Sequence, residues 1–128
     1  MKILVVDDEE MIRSLVLRVL QRAGYEVTVA ETGSLGLAAL KADQHINIAV
    51  VDMTLTDTNG LDLIRQMRTV RPDLPCVVST GQALSQQDVP DDIAAPVYLL
   101  PKPYRSQELV ALVTRIAQSS TSHNKSVL

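Results

Sequence analysis

Four short apolar runs recur along the chain: ILVV (3–6), IAVV (48–51), CVVS (76–79) and VYLL (97–100). A fifth, YEVTV (25–29), alternates apolar with polar residues and predicts an edge strand. Continuous β-branched runs of this length belong to strands covered on both faces, the habit of parallel sheets. Helical spacing lies between the runs. Residues 10–23 place Ile12, Leu15, Val16, Val19 and Leu20 on one face and Arg13, Arg18 and Arg22 on the other, and Gly24 follows as a stop. Residues 34–42 give a short helix through Leu37 and Leu40. Residues 60–70 space Leu61, Ile64 and Met67 helically before Pro72, and residues 105–117 stripe Leu109, Leu112, Val113 and Ile116. The segment QALSQQDVPDDIAAP (82–96) carries Pro90 in its middle, which predicts a fourth helix that is short or irregular. The last ten residues, SSTSHNKSVL (119–128), have no periodicity and are expected to be a flexible tail behind a domain over 1–118.

Five strands alternating with helical segments, joined by right-handed crossovers, make a doubly wound α/β domain: a parallel sheet with helices on both faces. Composition narrows the picture further. The chain has 128 residues, enough for one domain, and 46% are hydrophobic, enough for a core. Aromatics are 2%, so that core is aliphatic. A net charge of −3 gives no support to a nucleic-acid partner. Cys76 is the only cysteine, which rules out an internal disulfide and fits a buried residue in a reducing compartment. No apolar stretch approaches the roughly 20 residues of a membrane span. The start MKILVVDDEE does not resemble a signal peptide, so cytoplasm is the expected location.

In doubly wound sheets ligands bind beyond the carboxyl ends of the strands. Asp7, Asp8 and Glu9 follow the first strand, Asp52 the third, Ser79 and Thr80 the fourth, and Lys102 the fifth. Asp7, Asp8 and Asp52 repel one another unless a cation sits among them. Oxygen ligands with retained water suit Mg²⁺, and with no His or Cys cluster a zinc site is not expected. Mg²⁺, a lysine and a hydroxyl are the parts that neutralise a phosphoryl group. A carboxylate in that setting can be the nucleophile, and Asp52 is the central candidate. Taken singly, each residue has a plainer explanation. The acids after the first strand can cap a helix, Thr80 is a common strand-end residue, and Lys102 can be a surface lysine. Only their convergence at one sheet edge makes a site.

With ILVVDDEE, VVDMTLTDTNGLDLI, VVSTG and LLPKPY in this order, the chain resembles the receiver domain of bacterial two-component response regulators. The resemblance spans residues 2 to about 117. It implies a flavodoxin-like sheet of order 2-1-3-4-5 and a phosphorelay domain that takes a phosphoryl group from a phosphohistidine onto Asp52. Asp8 would bind Mg²⁺ directly and Asp7 more through water, while Thr54 would offer its backbone carbonyl to the metal. Thr80 would bond a phosphoryl oxygen and move toward it, and Lys102, before a usually cis Pro103, would pair with the phosphoryl charge. The implied partners are a histidine kinase or histidine phosphotransfer protein and a downstream protein, with a possible homodimer on phosphorylation. The implied chemistry is Mg²⁺-dependent self-phosphorylation with slow autodephosphorylation, not turnover of a substrate.

Several residues depart from the family pattern. Leu55, Thr56, Thr58 and Asn59 stand where the loop after the acceptor usually carries Met, Pro, Met and Asp, so no proline fixes φ at 56. Gly60 is retained. Leu99 occupies the position of the usual switch aromatic, and Tyr98 beside it should face the other side of the strand. No basic helix-turn-helix segment follows residue 117. The expectation is either a stand-alone relay or a piece of a longer protein, and LLPKPY before one last helix resembles receivers at the ends of hybrid kinases. Two rival readings exist. DMTLT (52–56) also fits the nucleophile motif of haloacid-dehalogenase-type phosphatases, but their acidic metal motif follows the lysine, whereas Asp7 and Asp8 precede everything here. A phosphate-independent interaction module would explain the altered loop, but not the joint presence of Asp7, Asp8, Asp52, Thr80 and Lys102.

Overall fold

The computed structural model describes the backbone of residues 1–81, 85–93 and 97–127, and side chains as far as 119 apart from those of 86 and 91. Five strands form one sheet: β1 (Lys2–Val6), β2 (Glu26–Ala30), β3 (Ile46–Asp52), β4 (Cys76–Thr80) and β5 (Val97–Pro101). Their order is β2-β1-β3-β4-β5 and all pairings are parallel. This is the flavodoxin-like topology. Strand alternation divides the core between two faces. Leu4, Val6, Ala49, Val51, Cys76 and Val78 pack toward α2 (Gly33–Ala42) and α3 (Gly60–Val70). Ile3, Val5, Ile48, Val50 and Val77 pack toward α1 (Glu10–Arg22) and α4 (Ser106–Val127). Central strands covered on both sides must be apolar at every position, which is why β1, β3 and β4 read as unbroken runs. Truncating one of these fully buried aliphatics, such as Ile48, costs about 2–5 kcal/mol. β2 lies at the sheet edge and is more exposed, with Val27 packed on the α1–α4 side and Ala30 on the α2–α3 side.

Gly24 ends α1 with φ +96°, a left-handed conformation that suits a residue without Cβ. Leu15, expected on the buried face of α1, is instead 48% exposed and lines a groove between α1 and α4. Cys76 is buried, and desolvation pushes its thiol up to about 11. The last helix departs from the sequence expectation, because α4 continues to Val127 through the segment expected to be a tail. Extending a helix already formed adds one backbone bond per residue without a new nucleation cost.

Part of the 82–96 segment lies outside the described residues. Where it is described, two short 3₁₀ turns, Gln86–Asp88 and Asp91–Ile93, flank Pro90 in place of a fourth helix. Val89 and Ile93 bury their side chains in the core, and Arg68 on α3 donates to the carbonyl of Ile93 at 2.7 Å.

Candidate functional site

The carboxyl ends of the strands are fixed to neighbouring strands by backbone bonds, β3 and β5 to β4 and β1 to β2. Met53 N–H donates to the carbonyl of Ser79 at 2.8 Å, Lys102 N–H to that of Thr80 at 2.7 Å, and Asp7 N–H to that of Ala30 at 3.1 Å. These bonds set where the site side chains emerge. Asp7, Asp8 and Asp52 each place a carboxylate oxygen within 4.8 Å of the others. Asp7 and Asp52 are buried at 3% and 6% exposure, and Asp8 is half-buried. Lys102 Nζ donates to Asp52 Oδ1 at 3.1 Å. Thr80 is buried at the end of β4.

Burial pushes the Asp7 carboxyl above its ordinary value, helped by the charge of Asp52 and opposed by a bond from the Glu9 amide at 2.9 Å. Burial also disfavours the Lys102 ammonium, but the bond and charge of Asp52 win and its pKa is raised. Three clustered carboxylates with one ammonium leave an excess of negative charge in a partly dry pocket. An all-oxygen donor set of that charge fits Mg²⁺.

Helix capping does not account for these acids. Glu9 stands at the N-cap of α1 without a side-chain cap bond, and α3 is capped by Asn59, whose Oδ1 accepts from Asp62 N–H at 2.9 Å. Asp7 shares in a local turn through the Glu9 amide, and Asp52 more loosely through the Thr54 amide. The peptide bond between Lys102 and Pro103 is cis.

The loop between β3 and α3 is closed without a proline. Thr54 and Asn59 pair as an antiparallel bridge, Leu55 N–H donates to the carbonyl of Thr58 at 3.1 Å, and Leu55 is buried. A Cβ on Gly60 would sit 2.8 Å from the carbonyl oxygen of Asp52, so only glycine fits there. Thr54 N–H approaches Asp52 Oδ1 at 3.5 Å. Leu99 packs on the α2–α3 side of the sheet and Tyr98 on the α1–α4 side, as strand alternation requires.

Three neighbours escaped the sequence reading. The Arg13 guanidinium donates to the carbonyl of Asp7 at 2.9 Å. Tyr104 lies close enough to feel Asp7; burial first, then that charge, raises its hydroxyl pKa. Asp57 reaches from the β3–α3 loop to α2. All three depend on contacts across the fold, and only Tyr104 had a local signal, its adjacency to the lysine motif.

A family model for the response regulator receiver domain matches residues 3–114. The DNA-binding transcriptional regulator NtrC of Azospirillum brasilense is 35% identical over 119 residues, covering 93% of this chain and 24% of that protein. Response regulator MprA of Mycolicibacterium vanbaalenii is 33% identical over 121 residues, covering 94% of this chain and 52% of MprA. The chain therefore spans a quarter to a half of the length of such relatives. Among solved structures, a CheY-like response regulator receiver domain protein from Methanospirillum hungatei superposes with a TM-score of 0.85 at 27% identity, covering 95% of this chain and 97% of that one. The receiver domain of the hybrid histidine kinase CckA gives 0.77 at 26% identity, covering 90% and 97%.

Proposed function

This chain belongs to the response regulator receiver domain family, and from that premise we propose that Asp52 is its phosphoacceptor. The observation that carries the reading is the convergence of Asp7, Asp8 and Asp52 within 4.8 Å, with Lys102 bonded to Asp52. The domain is a signalling element of two-component systems. The finer chemistry is our proposal.

A carboxylate oxygen of Asp52 attacks the phosphorus of a phosphohistidine on a kinase or transfer protein. An O–P bond forms, the N–P bond breaks, and its electron pair returns to the imidazole. Asp7, Asp8, Asp52 and the backbone carbonyl of Thr54 would hold Mg²⁺. When bound, that ion supplies charge neutralisation to the oxygens of the transferring group. Lys102 supplies the second positive charge from its place beside Asp52. The Thr80 hydroxyl bonds the arriving phosphoryl and draws the end of β4 with it. Hydrolysis of the acyl phosphate resets the domain. Small-molecule phosphodonors serve in place of the protein donor, because the domain carries its own catalytic groups.

No helix among the described residues is long and apolar enough to cross a membrane. We place the domain in the cytoplasm, where kinases supply the phosphoryl, and we give it no nucleic-acid contact of its own. The DNA binding in NtrC's name belongs to a protein of which this chain spans 24%. Reductive trapping of the acyl phosphate followed by peptide mapping tests the reading. Label at position 52 is the expected result. Label at any other residue would assign the acceptor elsewhere.

A further inference from the structure

We infer that Asp57 is a positioning residue for the acceptor site, tying the tip of the Thr54–Asn59 loop to the first amides of α2 and so fixing the backbone of Thr54 beside Asp52. The inference rests on the metal role given to Thr54 above. Asp57 Oδ1 accepts from Gly33 N–H and Oδ2 from Ser34 N–H, both at 2.9 Å. Each carboxylate oxygen thus takes one amide at a helix N-terminus, where the dipole adds to a charge-assisted pair. The Ser34 and Gly33 amides hold the Asp57 carboxyl below its ordinary value, so it stays ionised near neutrality.

The contact joins elements 24 residues apart. α2 does not depend on it for a cap, because Thr32 Oγ1 already accepts from Leu35 N–H at 3.1 Å. The loop does depend on it. Its internal bonds, Leu55 N–H to the carbonyl of Thr58 and Gly60 N–H to that of Met53 at 2.7 Å, set the loop's own shape, with Thr54 and Asn59 paired between them. Its angle to the sheet is set at the base by Met53, whose N–H donates to the carbonyl of Ser79, and at the tip by the buried Leu55 side chain and the Asp57 carboxylate. The fit beneath the tip is close: a Cβ on Gly33 would lie 2.5 Å from Thr58 Cγ2. Release of Asp57 removes the polar anchor of the tip, and Thr54, between Met53 and that tip, is held less firmly.

Two readouts test this role against mere helix capping: Mg²⁺ affinity by titration calorimetry, and hydrogen exchange of amides 53–59 in metal-free protein. Asp57→Ala should weaken Mg²⁺ binding about tenfold, since a charged group with two hydrogen bonds is lost. It should also speed exchange of the loop amides. Asp57→Asn keeps one accepting oxygen and should fall between Asp57→Ala and the native chain. Thr32→Ala removes the other cap of the same helix. It should lower stability while leaving Mg²⁺ affinity and loop exchange unchanged. Native affinity in Asp57→Ala, or an equal loss in Thr32→Ala, overturns the positioning role alone. A native chain that ignores Mg²⁺ overturns the metal site and this role together.

Discussion

The acceptor edge and the segment between β4 and β5 are built differently. Every charged group at the acceptor edge leaves a strand end or an adjoining turn, and those strand ends are locked by backbone bonds to their neighbours. The pocket carboxylates therefore inherit the rigidity of a core buried on both faces of the sheet. The described part of the β4–β5 segment has no such frame. Two 3₁₀ turns are held by the buried Val89 and Ile93 and by side chains reaching from α3. Arg68 bonds the carbonyls of Ile93 and Leu74 at 2.7 and 3.2 Å, and Arg65 bonds Asp92 at 2.8 Å. The lesson is a division of labour. The candidate chemistry sits where backbone pairing supplies fixed geometry, and the described part of the neighbouring segment is held through side-chain contacts.

If that division holds, damage on the two sides should separate. Lys102→Ala should have the largest effect. Removing a preorganised charge from the transferring group should slow phosphoryl incorporation by about 10²-fold or more, read as initial rates from a small phosphodonor. Arg68→Ala should leave that rate near native while lowering stability by about 1–2 kcal/mol in urea melts, for its lost bonds to Ile93 and Leu74. Incorporation as slow as in Lys102→Ala would break the comparison. Smaller still is the effect of Arg65→Ala or Asp92→Ala. This ion pair is exposed, at 40% and 62% for the two side chains, so the melt should stay close to native.

Acid should sharpen the contrast further. Asp7 has a raised carboxyl pKa in the metal-free fold, chiefly from burial. Its protonated form therefore favours the folded state below the ordinary value of 3.8, and that contribution is lost as pH rises through the raised native value. Mg²⁺ needs the ionised form. The rise in melting temperature caused by Mg²⁺ should thus shrink as pH falls from neutrality, beginning above 3.8. Asp7→Asn should flatten this dependence.

Most of the acceptor edge was legible because its logic is local. The apolar runs of β1, β3, β4 and β5 lead into the candidate site residues, and parallel topology brings those ends together. Pro90 likewise announced the interrupted fourth helix, and the Leu99–Tyr98 alternation told which face each side chain takes. The rest depends on distance in space. Nothing in TLTDTNG says that α2 begins opposite Asp57, and nothing in α3 says that Arg65 and Arg68 hold the segment around Ile93. Thr56 in place of proline suggested an unrestrained loop, yet the loop is closed by a bridge, a buried leucine and a carboxylate clamp. Leu15 satisfied helical spacing but lies over a groove that only the α1–α4 separation creates. The extension of α4 to Val127 lacks the apolar stripe by which helices are read.

The central claim is that Asp52 accepts a phosphoryl group in a metal-dependent way. Intact mass after incubation with a small-molecule phosphodonor, with and without Mg²⁺, for the native chain and Asp52→Asn, tests it most directly. The expected result is a gain of one phosphoryl group only when both Mg²⁺ and Asp52 are present. A gain without the metal, or in Asp52→Asn, would contradict it. No gain under any condition would leave a receiver fold that works without phosphate.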